Sequence, residues 1–314
     1  MELVEAFSLT PQYRSYVWGG HRLRPGPEPT AEAWVVHEDD RIAGGSLAGK
    51  TLGEAAALMG ERLLGSRALG RTGRRFPLLI KILDCAAWLS LQVHPNNEQA
   101  VRLEGPGNFG KTEAWHFLET APGAEILAGL RPGESQQELE EAIRRGTLLE
   151  KMQRLEVHAG DSILIPAGMI HALGPGILVY EIQQVSDITY RVFDWNRPAS
   201  EGRPLHIEKS AAVANAGLTG RLLLARDPVD GERRELVACE YFRLELLAEK
   251  EHAAGLDPQG KSFHVLTAIE GRAQVEGRGW SQALGRFETV VVPASAGLYH
   301  LEPLGGVKVL LARV

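Results

Sequence analysis

The sequence predicts a mainly β protein built from two barrel-like or sandwich-like units with helical insertions. From about residue 76, short apolar stretches are separated by glycine and proline, of which the chain contains 35 and 17. A strand-turn-histidine pattern occurs twice, and strong helix-start signals are found in a few segments only. A doubly wound parallel sheet would instead alternate strands and helices along the chain.

Size and composition narrow the function classes. With 314 residues, 44% apolar and 24% charged, the chain is expected to form two domains of a globular protein. The start, MELVEAFSLTPQYRSY, shows no basic segment followed by an apolar core, and no window reaches the roughly 18 to 20 apolar residues of a membrane span. We therefore predict a cytoplasmic protein without a membrane partner.

Charge and cysteine content exclude further classes. The net charge of -6 argues against a nucleic-acid partner, but a small anionic substrate remains compatible if lysines and arginines converge locally. The two cysteines, Cys85 and Cys239, are far apart and have no metal-binding spacing. Any metal must therefore be bound by histidine, carboxylate or amide groups.

Two capping boxes predict the clearest helices. Thr51 with Glu54 and Ser135 with Glu138 place a hydroxyl three residues before a glutamate, which satisfies backbone groups at a helix start. Gly146 is expected to end the second helix. The apolar stripes that follow the two boxes are Leu52, Leu58, Met59 and Leu63 in the first, and Leu139, Ala142 and Ile143 in the second.

An internal repeat indicates two copies of one β unit. Residues 160–168 form a turn, an apolar strand and Pro-Ala before His171, and residues 286–294 do the same before His300. The charged, turn-rich stretch 217–235 is the predicted connection between the copies. Chance recurrence of Pro-Ala after a strand is the alternative explanation.

Strand alternation places polar residues on common faces in three segments. Successive residues of a strand point to opposite sides, so residues two apart share a side. Polar groups on the inner face of a barrel indicate a functional interior rather than a packed one. The residues aligned in this way are Ser90, Gln92 and His94, then Lys111 and Glu113, then Asp187 and Arg191.

A divalent cation would satisfy several of these groups together. His94, Glu113 and His171 would hold it, with Gln92 as a weaker fourth ligand, and imidazole with carboxylate suits Zn²⁺. Taken singly, each residue is more typical of a structural role, as a surface charge, half of an ion pair or a core side chain, and the spacing as a whole favours the metal site and the structural interpretation about equally. That ordinary interpretation is adopted for the other histidines considered, namely His37, His158, His206, His264 and His300.

Several longer blocks resemble the type I mannose-6-phosphate isomerases, particularly their short bacterial form. The most specific blocks are PLLIKILDCAAWLSLQVHP at 77–95, GKTEAWHFLE at 110–119, and the segment from 160 to 197. Residues 16–20, YVWGG, are similar to the family's Trp-Gly-Gly signature. The chain departs from the family at 31–34, where Ala-Glu-Ala-Trp replaces the frequent Gly-Glu-x-Trp, and similarity weakens after about residue 240.

The resemblance implies a fold and a set of site residues. It implies two cupin-like jelly-roll barrels, with residues 1–235 as the catalytic domain and 236–314 as a second barrel without a metal site. It also implies one Zn²⁺ per chain on His94, Glu113 and His171, joined in longer members by the equivalent of Gln92. The family's essential arginine maps to Arg191, its suggested phosphate contacts to Ser90 and Lys111, and an acidic pocket residue to Glu181.

The implied reaction is the interconversion of mannose 6-phosphate and fructose 6-phosphate by proton transfer through a cis-enediol. The base remains open among a zinc-bound water, Lys111 and Glu181. An Fe²⁺-dependent cupin oxygenase using the same ligands and a non-catalytic sugar-phosphate-binding cupin are the alternatives. The expected partner is a small sugar phosphate, and the expected assembly is a monomer or homodimer.

Overall fold

The fold is mainly β, as predicted. The protein was analysed as a computed structural model, which describes residues 4–197 and 203–314. Its strands, in chain order, are β1 (Phe7–Thr10), β2 (Gln12–Arg14), β3 (Glu32–Val36), β4 (Arg41–Ile42), β5 (Leu78–Cys85), β6 (Leu91–Val93), β7 (Glu113–Thr120), β8 (Glu125–Leu130), β9 (Met152–Glu156), β10 (Ser162–Ile165), β11 (His171–Leu173), β12 (Ile177–Gln184), β13 (Tyr190–Phe193), β14 (Leu222–Leu223), β15 (Glu232–Ala238), β16 (Arg243–Glu249), β17 (Ala254–Leu256), β18 (His264–Gly277), β19 (Trp280–Leu284), β20 (Thr289–Val292) and β21 (Tyr299–Arg313).

Short helices interrupt the strands, as the capping signals indicate. They are α1 (Leu52–Met59), α2 (Glu61–Thr72), α3 (Asn97–Glu104), α4 (Gln136–Arg145) and α5 (Ile207–Val213), with a 3₁₀ helix at Leu148–Lys151. None of the helices within residues 4–197 and 203–314 is long and apolar enough to cross a membrane.

The strands form sheets of nine, seven and five members. The nine-stranded sheet has the order β15-β16-β21-β18-β20-β1-β4, with β17 beside β21 and β19 beside β18. The seven-stranded sheet runs β14-β10-β7-β12-β5-β3-β2, and the five-stranded sheet runs β13-β6-β11-β8-β9. Antiparallel pairing dominates, which is typical of sheets joined by short turns.

Two compact units divide the chain differently from the predicted segments 1–235 and 236–314. The terminal unit comprises Met1–Gln12, Trp34–Ile80 and Arg226–Val314, and the central unit comprises Tyr13–Ala33 and Lys81–Ala225. The N-terminal strand belongs with the C-terminal part because β1 pairs with β20, with Phe7 opposite Val291. The predicted connection 217–235 does contain the last boundary between the units.

Each unit has its own apolar core. In the terminal unit, side chains of β18, β20 and β21 pack around the buried ring of Tyr299. In the central unit, one cluster surrounds Trp115 and Phe117 of β7, and a second cluster joins β6 and β8 to α4. Burial of such surface at roughly 25 cal/mol per Å² is the main stabilising contribution.

Both predicted capping boxes are present, but the first apolar stripe was wrong in one respect. Thr51 caps α1 and Ser135 caps α4, each with the reciprocal glutamate contact. The chain turns at Gly60, whose φ of 54° favours glycine, so the predicted single helix becomes α1 and α2. Within α1 the buried residues are Leu52, Ala55 and Ala56, and Leu58 lies about 240° around the helix from Leu52, so it is 62% exposed rather than part of the buried stripe.

Candidate metal centre and adjoining pocket

Three ligand-type residues from distant parts of the sequence converge in the central unit. His171 begins β11 opposite Gln92 of β6, Glu113 begins β7, and His94 directly follows β6. Nε2 of His94 lies 3.4 Å from Oε2 of Glu113, and Nε2 of His171 lies 3.3 Å from Oε1 of Glu113. One ligand atom from each residue lies within 4.8 Å of the others, and all three side chains are buried. The predicted convergence is therefore confirmed.

Backbone hydrogen bonds orient both imidazoles. Nδ1 of His94 donates to the carbonyl of Ile188 at 2.8 Å, and Nδ1 of His171 donates to the carbonyl of Met169 at 2.9 Å. A carbonyl only accepts, so the proton lies on Nδ1, and in the neutral ring Nε2 presents its lone pair. Burial, with a contribution from Lys111, lowers the pKa of His94 to about 3, which keeps it neutral. Histidines that bind metals commonly donate their other ring N–H to a carbonyl or carboxylate oxygen in this way.

Glu113 completes a donor set that fits a divalent cation. Its two buried oxygens accept no hydrogen bond from the described residues, although Nζ of Lys111 approaches Oε2 to 2.7 Å as an ion pair. Burial alone would raise the pKa of Glu113, but Lys111 and the neighbouring histidines outweigh it and hold the pKa well below its usual range. Carboxylate oxygens without hydrogen bonds, facing two imidazole lone pairs, are strongly stabilised by a cation.

Gln92 and Ser90 lie next to this cluster. The amide of Gln92 donates from Nε2 to Nε2 of His171 at 3.2 Å, which agrees with the lone pair assigned to that nitrogen. Oγ of Ser90 donates to Oε1 of Gln92 at 3.2 Å. The role of Gln92 as a fourth ligand and that of Ser90 as a phosphate contact stay predictions.

A polar cavity of about 210 Å³ adjoins the cluster within the central unit. It contains the predicted substrate-binding and catalytic residues, together with charged groups that the sequence had not singled out. The residues lining it are Tyr16, Trp18, Glu32, Lys81, Leu83, Leu89, Ser90, Gln92, Lys111, Glu181, Asp187, Thr189, Arg191, Arg203 and His206.

Lys81 is the most prominent cavity residue that sequence analysis missed. Its Nζ lies 3.3 Å from Asp187, 3.5 Å from Glu181 and 3.8 Å from Glu32. Burial would lower the pKa of Lys81, but these carboxylates outweigh it and raise the pKa, so the ammonium stays charged. The signal was present in the sequence, because a lysine within the apolar strand β5 must have buried partners.

Glu181 is a buried carboxylate on β12 that faces the same cavity. Nε1 of Trp115 donates to its Oε2 at 3.0 Å, while Oε1 faces Lys81. Burial, followed by the negative charge of Glu113, raises the pKa of Glu181 despite the nearby lysines. A carboxyl group with a raised pKa is a stronger base than an exposed one.

Arg191 lies on β13 at another part of the cavity. Its Nε is buried and has no hydrogen-bond partner among the described residues. Burial, and then the positive charge of Arg203, lowers the pKa of Arg191. The backbone of Arg191 is bonded to His206, which sequence analysis had treated as an ordinary histidine.

Two histidines that the sequence analysis assigned an ordinary role, His300 and His264, lie outside the cluster. His300, the counterpart of His171, is exposed on β21. His264 is buried in the terminal unit, where its Nδ1 is 2.8 Å from the hydroxyl of Tyr299. Among the described residues, His94, Glu113 and His171 form the one cluster with metal-ligand geometry.

The chain is similar in sequence to known phosphomannose isomerases. Residues 6–114 match the model of the phosphomannose isomerase type I catalytic domain. The chain is 38% identical to mannose-6-phosphate isomerase of Streptococcus mutans, over 76% of this chain and 78% of that protein. It is 32% identical to mannose-6-phosphate isomerase ManA of Bacillus subtilis, over 95% and 96% respectively.

A solved structure gives the same result at the level of the fold. The crystal structure of mannose 6-phosphate isomerase from Bacillus subtilis superposes with a TM-score of 0.85 at 28% identity, covering 99% of this chain and all of that one. Sequence identity above 30% over nearly the whole length, together with this fold, shows that the chain belongs to the type I mannose-6-phosphate isomerase family.

Proposed function

We propose that this protein is a zinc-dependent isomerase that interconverts mannose 6-phosphate and fructose 6-phosphate through a cis-enediol. The observation that carries the proposal is the buried His94, Glu113 and His171 cluster beside a cavity of fixed charges. We also propose that the strands of each unit form a cupin-like barrel, which would place the cluster in a barrel interior.

The donor set favours one zinc ion per chain. His94, Glu113 and His171 would hold it, with Gln92 as the fourth ligand, and imidazole with carboxylate is typical of catalytic zinc sites. When bound, zinc supplies a Lewis acid that withdraws charge from the sugar's carbonyl and neighbouring hydroxyl oxygens. Lys111, ion-paired with Glu113, adds positive charge beside these oxygens.

Glu181 is the residue we propose for proton transfer between the two carbons. Its carboxylate would take the proton from C2 of the open-chain aldose, leaving an enediolate. Passage of the hydroxyl proton from O2 to O1, by way of the cis-enediol, and return of the first proton from Glu181 to C1 would then give the ketose. The raised pKa of Glu181 makes its carboxylate a better acceptor, and Trp115 holds it in place. Lys111 is the competing candidate for this role.

Ser90, Lys111 and Arg191 are the proposed substrate contacts. Arg191 presents a charged guanidinium to the cavity, and its Nε lacks a hydrogen-bond partner among the described residues, so an oxyanion of the substrate would satisfy it. Contacts to the unreacting phosphate place the sugar relative to the reacting groups, which accelerates the reaction by orientation.

The proposal is tested with a coupled assay on mannose 6-phosphate before chelation, after chelation and after zinc is restored. Chelation should reduce kcat by at least about two orders of magnitude, because metal polarisation supplies several kcal/mol. Zinc should restore the rate without dissolved oxygen, which separates the isomerase from an iron oxygenase. Tight binding of metal and sugar phosphate without turnover would refute the proposed activity.

A substitution of Glu113 tests which residues bind the metal. Glu113→Gln should lose both zinc and turnover, because the amide keeps the shape but removes the anionic ligand. Glu125→Gln is the matched control, since Glu125 lies at the partly exposed start of β8 and pairs with Arg154. Full zinc stoichiometry in Glu113→Gln would contradict the assignment.

A further inference from the structure

The cations of the cavity differ in how far they are already neutralised. Lys81 contacts three carboxylates, and Lys111 is ion-paired with Glu113. Arg191, in contrast, has no ion pair within residues 4–197 and 203–314, and its Nε has no hydrogen-bond partner there. A dianion entering this cavity is therefore attracted to the side formed by Arg191.

His206 is fixed beside Arg191 by two reciprocal backbone contacts. The backbone N–H of His206 donates to the carbonyl of Arg191 at 2.8 Å, and the backbone N–H of Arg191 donates to Nδ1 of His206 at 3.2 Å. Because Nδ1 accepts, the proton of the neutral ring lies on Nε2. His206 also lines the cavity, so it presents a neutral N–H donor there.

The groups around His206 favour this neutral form. Burial, followed by the positive charges of Arg191 and Lys209, lowers the pKa of His206, and Glu104 opposes them only weakly. Protonation at Nδ1 would also break the bond from the backbone of Arg191. His206 can therefore serve as a hydrogen-bond donor over a wide pH range without changing its charge.

Arg203 supplies a second guanidinium with a fixed position. Its Nε lies 2.7 Å from Oδ2 of Asp194 and its Nη2 lies 3.1 Å from Oδ1, and the side chain is only 10% exposed. Asp194 is buried and also binds Arg197, so it is shared between two cations. Arg203 and Arg191 line the same cavity, and a bound anion would relieve their mutual repulsion.

We propose that His206 and Arg203 are substrate-recognition residues that bind the phosphate group of the sugar together with Arg191. The chemistry matches, since two guanidinium groups and a neutral N–H offer charge and several donors to a dianion. This inference rests on the proposed function, and it assigns the phosphate to the part of the cavity lined by Arg191, Arg203 and His206.

The test uses the zinc-loaded protein and inorganic phosphate as the probe. Calorimetric titration gives phosphate affinity independently of turnover, and a coupled assay gives KM and kcat for mannose 6-phosphate. His206→Leu and Arg203→Ala should each weaken phosphate binding and raise KM by about 10- to 100-fold, because each removes a hydrogen bond to a charged group. A change of KM with kcat within about threefold indicates lost substrate binding rather than lost chemistry.

Two further variants separate recognition from structure. His206→Gln keeps an N–H donor in the side chain, so phosphate affinity should return to within about threefold of the wild type. Lys209→Ala is the charge-matched control for Arg203→Ala, because Lys209 is 41% exposed, pairs with Glu104 and does not line the cavity. Its phosphate affinity and KM should match the wild type.

Each outcome decides the inference. Unchanged phosphate affinity in both His206→Leu and Arg203→Ala would overturn it while leaving wild-type isomerase activity, and hence the proposed function, intact. An equal loss in Lys209→Ala, or a fall in kcat without a change in phosphate affinity, would also overturn it. Phosphate binding that depends on His206 and Arg203 in a wild type without turnover would refute the proposed function but support the anion site.

Discussion

Replacing Lys81 with methionine tests the electrostatics of the cavity most directly. The substitution keeps the length of the side chain but removes the charge that faces Glu181 at 3.5 Å and Glu32 at 3.8 Å. At an effective dielectric constant of about 20, each of these pairs is worth about 4 to 5 kcal/mol by Coulomb's law. The contact with Asp187 adds less, because solvent screens a side chain that is 58% exposed. The variant also avoids the cost of burying an ammonium group, so the net loss of unfolding free energy should be about 3 to 5 kcal/mol.

The loss should depend on pH in a definite direction. In the wild type, Lys81 helps to hold the pKa of Asp187 below its usual value against the effect of burial, so the stability from this pair is lost as pH falls. In the variant, loss of the lysine raises the pKa of Glu181 further. The free energy of unfolding of the variant therefore decreases as pH increases through that pKa. Both effects make the difference between wild type and Lys81→Met larger at neutral pH than in acid.

Urea unfolding of the metal-free proteins, followed by circular dichroism at about pH 7.5 and about pH 4.5, measures this difference. The double variant Lys81→Met/Glu181→Gln should recover part of the loss, because it removes one of the unpaired carboxylates. Lys151→Met, at a partly exposed ion pair with the single carboxylate of Glu134, is the control and should change stability far less. A loss below about 1 kcal/mol that is the same at both pH values would show that the carboxylates do not depend on Lys81.

Three further predictions concern Arg191 and Glu181 of the cavity and the ion pairs of Glu245 in the terminal unit. Arg191→Ala should lower kcat/KM by at least about 100-fold while zinc content stays at the wild-type level, and Arg191→Lys should restore little activity, because a lysine lacks the planar pair of donors. Near-normal activity of purified Arg191→Ala would contradict this role. Glu181→Gln should abolish exchange of deuterium at C2 of the sugar, whereas continued exchange would assign the base to another group. Glu245→Gln should lower the free energy of unfolding by about 2 kcal/mol at neutral pH, because Arg233 and Arg313 outweigh burial and lower the pKa of Glu245. The stability from these ion pairs is lost as pH falls through the lowered pKa, so an equal effect of the substitution in acid would refute the explanation.

The candidate metal centre was predictable because strand periodicity and residue type carry most of its information. His94 and Glu113 belong to segments in which alternate residues are polar, and such residues share a face wherever the strand lies in the sheet. Which strands become neighbours is a property of the whole fold. His171 was preferred to His300 as the third ligand because the half of the chain that contains His300 lacks matching partners for a metal, and the resemblance to a known family implied the same residue.

The charged cavity was less predictable, because a sequence does not show which opposite charges meet. Lys81 is separated from Asp187 by more than 100 residues and from Glu32 by about 50, and only the fold brings them together. His206 was equally hidden, since its role depends on a backbone pairing with Arg191. Leu58 was misjudged for a local reason, because a residue six positions after Leu52 lies on another face of the helix than Leu52, Ala55 and Ala56.

The terminal unit, like the central unit, buries polar side chains. Its polar interior groups satisfy one another: the hydroxyls of Thr267 and Thr289 lie 2.9 Å apart, and His264 contacts Tyr299. Paired groups of this kind need neither a metal nor a ligand to offset the cost of burial. In the central unit the oxygens of Glu113 accept no hydrogen bond from the described residues, and beyond the ion pair with Lys111 they face only the two imidazoles, so a metal ion would stabilise them. The two units thus differ in whether their buried polar groups are satisfied by hydrogen bonds within the protein, and that difference favours the central unit as the one that could hold a metal ion.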